Sequence, residues 1–213
     1  MKNNKWKLIV SSLIILLPIA FGLIVWNQLP EQIATHWGMD GNPDGWSSRE
    51  VAVFGLPLFI FVLHWFCAFV TSRDPKNKDG NTKVKDLVLF ITPMVSIMVS
   101  GMMYMTALGM SLRVEMIMMI FLGLLFIVLG NYMPKCRQNY TIGIKISWTL
   151  NSEENWNATH RFAGKLWMIG GALIMLLCFL PSTYAFIAFF AVAMAITTAP
   201  IIYSYNFYKK EAK

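Results

Sequence analysis

Six stretches of this chain contain no Asp, Glu, Lys or Arg: Leu8 to Leu29, Val51 to Thr71, Leu87 to Ala107, Met116 to Tyr132, Leu166 to Leu180 and Thr183 to Tyr203. A hydrocarbon slab about 30 Å thick needs roughly 20 apolar residues per helical crossing, and a few flanking residues bring the two shorter stretches to that length. Inside the slab the backbone must satisfy its own polar groups, and apolar runs of this length do so as helices. Of the 213 residues only 14% are charged and 56% are hydrophobic, where a soluble domain carries roughly 25% charged residues. The pattern predicts an all-α polytopic membrane protein with six transmembrane helices. It excludes a soluble enzyme, a DNA-binding domain and a disordered tail.

The basic residues give the orientation. With the N-terminus inside, the inner segments hold 16 Lys and Arg residues, and only Arg49 and Arg113 lie outside. Such a bias places both termini in the cytoplasm. The net charge of +7 is then a topology signal and an attraction to anionic membrane lipids, with no direct nucleic-acid partner. Lys2, Lys5 and Lys7 precede an apolar run as in a secretory signal, but the run is long and lacks a small-x-small cleavage site, so a retained first helix is expected. Cys67 and Cys178 fall in helices and Cys136 in an inner loop, which leaves no outer disulfide. Trp6, Trp26, Tyr104, Tyr132, Trp167, Tyr184, Tyr203, Tyr205 and Tyr208 fit interfacial aromatic belts.

Membrane helices pack through small side chains. Thr92, Ser96 and Ser100 make one such face on the third helix, and Ala191, Ala195 and Ala199 make another on the sixth. Pro18, Pro57, Pro93 and Pro200 can kink or end helices. Nine of the fifteen methionines lie between Met94 and Met119, either as ordinary packing or as an adaptable apolar groove. His64 is the one ionisable residue in a charge-free stretch. It reads as a neutral histidine hydrogen-bonded between helices, or as a proton relay or substrate contact.

Two polar segments carry information. The outer loop, residues 29–46, contains two Asp-Gly pairs and Asn-Pro, which demand tight turns. Asp40, Asn42, Asp44 and Gly45 match the first half of an EF-hand calcium loop, but the position of the bidentate Glu is Val51. His36 and Asp40 alone do not make a zinc site. The sequence therefore offers no metal set and no cofactor. The loop reads as a recognition platform, with Trp37 and Trp46 as aromatic anchors and His36, Asp40 and Asp44 as polar selectors. It reads equally as a self-bonded cap over the helix ends.

The inner segment spans residues 130–167. Between Tyr140 and Leu150 bulky apolar residues alternate with Thr, Gly, Lys and Ser, a period of two that predicts an extended or hairpin-like stretch. Asn151 and Glu154 resemble a capping pair, so a helix is expected to start near Ser152 and run into the fifth span. On it Trp156, His160 and Gly164 share a face. His160 with Glu153 or Glu154 could serve an enzyme, and Lys135 and Arg137 could activate the Cys136 thiol. No spacing supplies a full catalytic set, so no catalytic residue and no enzyme activity is assigned.

The strings Gly130-Asn-Tyr-Met-Pro-Lys135, Asn139-Tyr-Thr-Ile-Gly-Ile-Lys145, Trp148-Thr-Leu and Trp156-x-x-Thr-His-Arg-Phe-Ala-Gly-Lys165 resemble the signature of the SdpI family. The outer Leu29-Pro-x-x-Ile-x-x-His-Trp37 and Gly41-x-Pro-Asp-Gly45 resemble the small DUF1648-like domain of unknown function that often precedes it. Two departures are Lys145 and Ser147, where the family usually has Arg and Pro, and Lys145 lacks the planar fork of Arg. The resemblance implies residues 1–71 as a DUF1648-like first hairpin, 72–115 as the third helix with its loops, 116–203 as the SdpI-like region and 204–213 as a cytoplasmic tail.

It also implies a cell-membrane immunity protein against a secreted membrane-active peptide toxin. Such a protein can act as the toxin's receptor and hold a cytoplasmic transcriptional repressor at the membrane. On this reading His36, Trp37, Asp40, Asp44 and Trp46 recognise the toxin. Asn131, Lys135, Arg137, Asn139, Lys145, Trp148, Thr149, Trp156, Thr159, His160 and Arg161 form the regulator-docking motif. Interfacial anchoring is the competing account of His160 and Arg161. A transporter or exporter, thinly supported by His64, Asn27, Gln28 and Asn131, and a membrane enzyme are the alternatives in function.

Overall fold

The computed structural model describes residues 2–77 and 82–211; Lys78 and Lys213 of the basic count lie outside them. The elements are helix α1 (Lys2–Ile24), strands β1 (Gln32–Trp37) and β2 (Pro43–Ser48), a π-helical turn (Val51–Gly55) continuing into α2 (Leu56–Arg73), then α3 (Thr82–Ala107), α4 (Val114–Tyr132), the short α5 (Ser147–Asn151), α6 (Glu153–Leu176) and α7 (Ser182–Glu211). Among the described residues, six helical segments are long and apolar enough to cross a membrane. The six charge-free stretches thus become six spans, and the protein is an all-α multi-pass protein of the cell membrane.

The chain falls into two compact units, Met1–Val70 with Lys85–Val114, and Thr71–Val84 with Glu115–Lys213. In the first, the expected Thr92, Ser96 and Ser100 face is buried or half-buried, and Thr92 and Ser96 make polar contacts from it. Ser96 Oγ donates to the Ile15 carbonyl at 2.9 Å and Thr92 Oγ1 lies 2.7 Å from His64 Nδ1. Tyr104, expected in a belt, is buried, and its hydroxyl donates to the Pro18 carbonyl at 2.9 Å. Gly22 admits it: a Cβ there would stand 2.7 Å from the tyrosine oxygen. Val25, Leu29, Ile33, Val53 and Met103 close the core around that ring.

In the second unit α4 meets α6 through glycines. A Cβ on Gly164 would come within 2.7 Å of the Gly130 carbonyl oxygen, and one on Gly171 within 2.5 Å of the Gly123 carbonyl oxygen. The seven-residue spacing within each pair puts both contacts on one face of each helix. The alanine face expected on α7 is not its packed face: Ala191 and Ala195 are exposed, and α7 instead buries Ala185, Ile196, Pro200 and Ser204. The methionines divide. Met102 and Met103 are buried in the first unit, Met119 is buried in the second, and Met94, Met105 and Met110 are exposed.

Pro200 explains the position of Trp167. A proline cannot donate to the carbonyl four residues back, which here is Ile196. Trp167 Nε1 donates to that carbonyl at 2.9 Å, so this tryptophan closes a helix–helix bond instead of serving only as a belt. Trp167→Phe should therefore lower thermal stability in detergent by about 0.6–1.7 kcal/mol. The loss should shrink in a Pro200→Ala background, where the helix supplies its own donor; equal losses in both backgrounds would contradict this account. Gly164→Leu should cost about 1–3 kcal/mol by overpacking, whereas Gly101→Ala, with nothing within 4 Å of the added carbon, should leave the melting midpoint unchanged or raise it.

Candidate functional site

Two surfaces gather the residues singled out by sequence, one in each unit. The outer loop is a two-stranded antiparallel hairpin with Ile33 opposite Ser47 and Ala34 opposite Trp46, and its register shifts between Ala34 and Trp37. Asp40 builds the turn: its carboxylate accepts the Asn42 N–H at 3.1 Å and the Asn42 side-chain amide at 2.7 Å, and Gly41 takes φ +81°. Those Asn42 hydrogen bonds hold the Asp40 carboxyl below its usual pKa. His36 Nδ1 lies 2.5 Å from Asp44 Oδ1. A Cβ on Gly38 would stand 3.0 Å from both Asp40 and Asp44 oxygens, so the two carboxylates converge over a glycine. Among the described residues no group of three His, Cys, Asp or Glu side chains is placed to hold a metal ion.

The two tryptophans of this loop separate. Trp37 is half-buried against the core, whereas Trp46 is 57% exposed, with Met39 at 56%. Arg49, one of the two outer cations, ties the hairpin to the end of α1. Its guanidinium donates to the carbonyls of Trp26 at 3.0 Å and Leu29 at 3.2 Å and stacks 4.7 Å over the Trp26 ring. A cation here also faces the negative end of the helix dipole. In sequence Arg49 stands out only as a charge, because its acceptors are main-chain atoms that no side-chain motif reveals.

His64 bridges three helices. Its Nε2 lies 2.8 Å from Ser11 Oγ on α1 and its Nδ1 2.7 Å from Thr92 Oγ1 on α3, so both nitrogens are used in hydrogen bonds to neutral hydroxyls. Trp65 Nε1 donates to Ser12 Oγ at 3.0 Å beside it.

The inner segment is built around Trp156 and His160. Trp156 is fully buried and donates from Nε1 to the Cys136 carbonyl at 2.7 Å. The His160 ring stacks on it with centroids 4.1 Å apart. The Ile144 N–H donates to His160 Nε2 at 3.0 Å, so that nitrogen carries no proton, and Nδ1 donates to the Trp156 carbonyl at 2.8 Å. This fixes a neutral tautomer with both nitrogens occupied, which removes the candidate base of an enzyme site. Gly143 takes φ +114°, and a Cβ on it would lie 2.5 Å from His160 Nε2.

Residues 140–146 form no strand. The chain turns irregularly into α5, and side chains take the backbone groups that a second strand would have paired. Asn139 is buried; its amide donates to the carbonyls of Arg137 at 2.8 Å and Ile142 at 2.9 Å, and its oxygen accepts the N–H groups of Thr141 at 2.8 Å and Ile142 at 2.6 Å. Asp74, which sequence reasoning missed, is buried and accepts the Tyr140 N–H at 2.8 Å and the Thr141 hydroxyl at 2.9 Å. Thr149 Oγ1 lies 2.7 Å from the Ile144 carbonyl and accepts the Ile146 N–H at 3.2 Å. Ser147 begins α5, the position at which proline is pre-organised for a helix.

Helix α6 starts where expected, but Ser152 is its cap, accepting the Asn155 N–H at 3.1 Å. Asn155 then clasps α7. Its amide donates to the Ser204 carbonyl at 3.0 Å, and its oxygen accepts the hydroxyls of Thr159 at 2.9 Å and Ser204 at 2.7 Å. Neither Asn155 nor Ser204 stood out in the sequence, since the pair lies 49 positions apart. The motif residues therefore split by exposure. Asn139, Thr149, Trp156, Thr159 and His160 are buried, Trp148 packs 5.0 Å from Tyr205, and Asn131, Lys135, Arg137, Lys145 and Arg161 are exposed. Arg161 lines an open cavity with Lys165 and Asn131.

Burial pushes the Cys136 thiol up to about 11, outweighing the lowering by its Asn139 hydrogen bond; the basic neighbours Lys135 and Arg137 do not activate it. At pH 8 about one molecule in a thousand then carries the thiolate that alkylating agents attack. In a Cys67→Ser, Cys178→Ser background, iodoacetamide at pH 8 should label Cys136 slowly in the folded protein and rapidly in denaturant. Rapid labelling of the folded form would show an open or activated thiol.

Residues 135–204 match the SdpI/YfhL protein family, and residues 13–61 match a domain of unknown function, DUF1648. The chain is 28% identical to Immunity protein SdpI of Bacillus subtilis (strain 168), over 99% of this chain and 98% of that protein. No solved structure matches. The stretch similar to the SdpI/YfhL family, residues 135–204, holds the Asn139 loop, the Trp156–His160 stack and the clasp to Ser204, and the stretch similar to DUF1648 precedes it.

Proposed function

We propose that this protein is a non-enzymatic immunity protein that protects its cell from a secreted membrane-active peptide toxin, binding the peptide at the outer hairpin. The observation that carries the reading is the near full-length similarity to a protein named as an immunity protein. The hairpin supplies what peptide recognition needs. Trp46 and Met39 present apolar surface on a loop stitched by Asp40 and Arg49, with the His36 and Asp44 pair beside them. Rigid aromatic anchors ringed by polar groups are the usual hot spots of such contacts.

The inner segment supports a receptor role. The exposed cations Lys135, Arg137 and Lys145 stand on a platform held by Asn139, Asp74 and the Trp156–His160 stack, and they offer a basic face to a cytoplasmic transcriptional repressor. In this division the buried motif residues hold the platform, and the exposed Lys135, Arg137 and Lys145 touch the regulator.

Expression in a toxin-sensitive strain tests both parts. Trp46→Ala should weaken protection, with affinity falling by roughly thirtyfold for a hot-spot tryptophan, at unchanged membrane yield. Unchanged killing by every peptide from the producing neighbourhood, with the intact chain expressed, would remove the immunity reading. Arg137→Gln with Lys145→Gln should abolish reporter induction and leave protection intact. His160→Ala and Trp156→Ala should lower membrane yield and both activities together; loss of induction alone in those two variants would instead make them contact residues.

A further inference from the structure

The second unit carries an open cavity of about 550 Å³ where α4, α6 and α7 meet. It opens beside the glycine crossing: Gly130 and Pro134 line it, and Gly164 packs closely against both. Its polar lining is Asn131, Arg161 and Lys165, and its apolar wall includes Phe162, Met168 and Tyr203. Phe162 and Tyr203 stack with centroids 4.6 Å apart, which makes that wall flat and continuous from α6 to α7.

Arg161 and Lys165 lie one helical turn apart, both exposed, and among the described residues no carboxylate pairs with either. Like charges at this spacing repel by a few tenths of a kcal/mol in an isolated helix. An anion between them reverses the sign. Their depth says which anion. Lys165 immediately precedes the charge-free run that begins at Leu166, and Gly130 lies near the end of the run Met116 to Tyr132. Both cations therefore stand at one edge of the hydrocarbon slab, on the side that the basic residues mark as cytoplasmic, where lipid phosphates lie. From that edge the wall descends past Phe162 to Met168, inside the apolar run.

We propose that this cavity is a binding site for one anionic phospholipid. Arg161 and Lys165 hold the phosphodiester, Asn131 flanks the headgroup, and the first acyl methylenes lie against Phe162, Met168 and Tyr203. A zwitterionic lipid fits less well, because its ammonium group meets two cations that lack a counter-charge. The site is independent of toxin recognition and would be present in the resting protein.

Native mass spectrometry of the purified full chain, released from mixed micelles of phosphatidylglycerol and phosphatidylcholine, tests it. The wild-type protein should retain one phosphatidylglycerol in preference to phosphatidylcholine, and the preference should fall about tenfold or more in Arg161→Gln with Lys165→Gln, given what each cation contributes at an anionic surface. Lys209→Gln with Lys210→Gln removes the same charge from exposed positions outside the cavity and should keep the preference. Asn131→Asp, which retains both cations but adds a repelling carboxylate, should lower it too, and so reads the site in a second chain should the double variant fold poorly. Equal loss in the Lys209 and Lys210 control, no loss in either cavity variant, or displacement of the lipid by an equal concentration of inorganic phosphate would overturn the proposal.

Discussion

A polar group within hydrocarbon has no water to fall back on, and leaving one unpaired costs several kcal/mol. Among the described residues, several polar groups of the spans are paired with atoms of another helix, although Ser100 and Thr106 of α3 bury hydroxyls without a partner. His64 sits between hydroxyls of α1 and α3, Ser96 reaches the Ile15 carbonyl, Tyr104 reaches the Pro18 carbonyl, and Trp167 fills the carbonyl left vacant by Pro200. Each bond contributes modestly, around 0.6 kcal/mol on average in membrane bundles. Their effect on specificity is larger, because a helix rotated or shifted by one residue would strand both partners. Packing by glycine and methionine tolerates many arrangements; these polar pairs select one within each unit.

The same demand shapes the inner segment at the membrane edge. A loop that packs against a helix buries backbone groups, and those groups must be paired whether or not a second strand is present. Here Asn139, Asp74, Thr149 and His160 do it with side chains. This accounts for the density of Asn, Thr and His in a motif that performs no visible chemistry. His160 is a bond acceptor for one amide and a stacked lid on Trp156, and Gly143 is required because only a hydrogen fits against that ring.

The spans and their ends were legible in the sequence because charge exclusion is a property of each segment alone. The inner segment was misread because alternation of apolar and polar residues specifies two faces but not a partner. With Gly143 at φ +114° and Asn139 capturing its neighbours' amides, the chain leaves the pleat before a ladder can start. The outer hairpin was expected as a structured loop but not as strands, since its second strand, Pro43–Ser48, is poor in β-branched residues. Arg49, Asp74, Asn155, Ser204 and the role of Trp167 were missed for one reason. Each is a single residue whose partner is a main-chain atom or lies far along the chain, and neither relation leaves a periodic trace.

Protection and signalling place different demands on such a structure. A protein that only sequesters a peptide needs one rigid surface, and the hairpin, fixed by Arg49 to the end of α1, meets that demand without moving. A receptor needs two states, and driving a segment from about 1:99 to 99:1 requires a ligand that prefers one state by roughly 10⁴-fold. Breaking the His160–Ile144 bond or the Asn155 clasp would strand buried polar atoms, which makes those groups poor hinges. The exposed cations Lys135, Arg137 and Lys145 carry no such penalty. For the proposed receptor role, rearrangement of these side chains, or a change in what covers them, would therefore be the cheaper route to an altered cytoplasmic surface, with the buried half of the motif left unchanged.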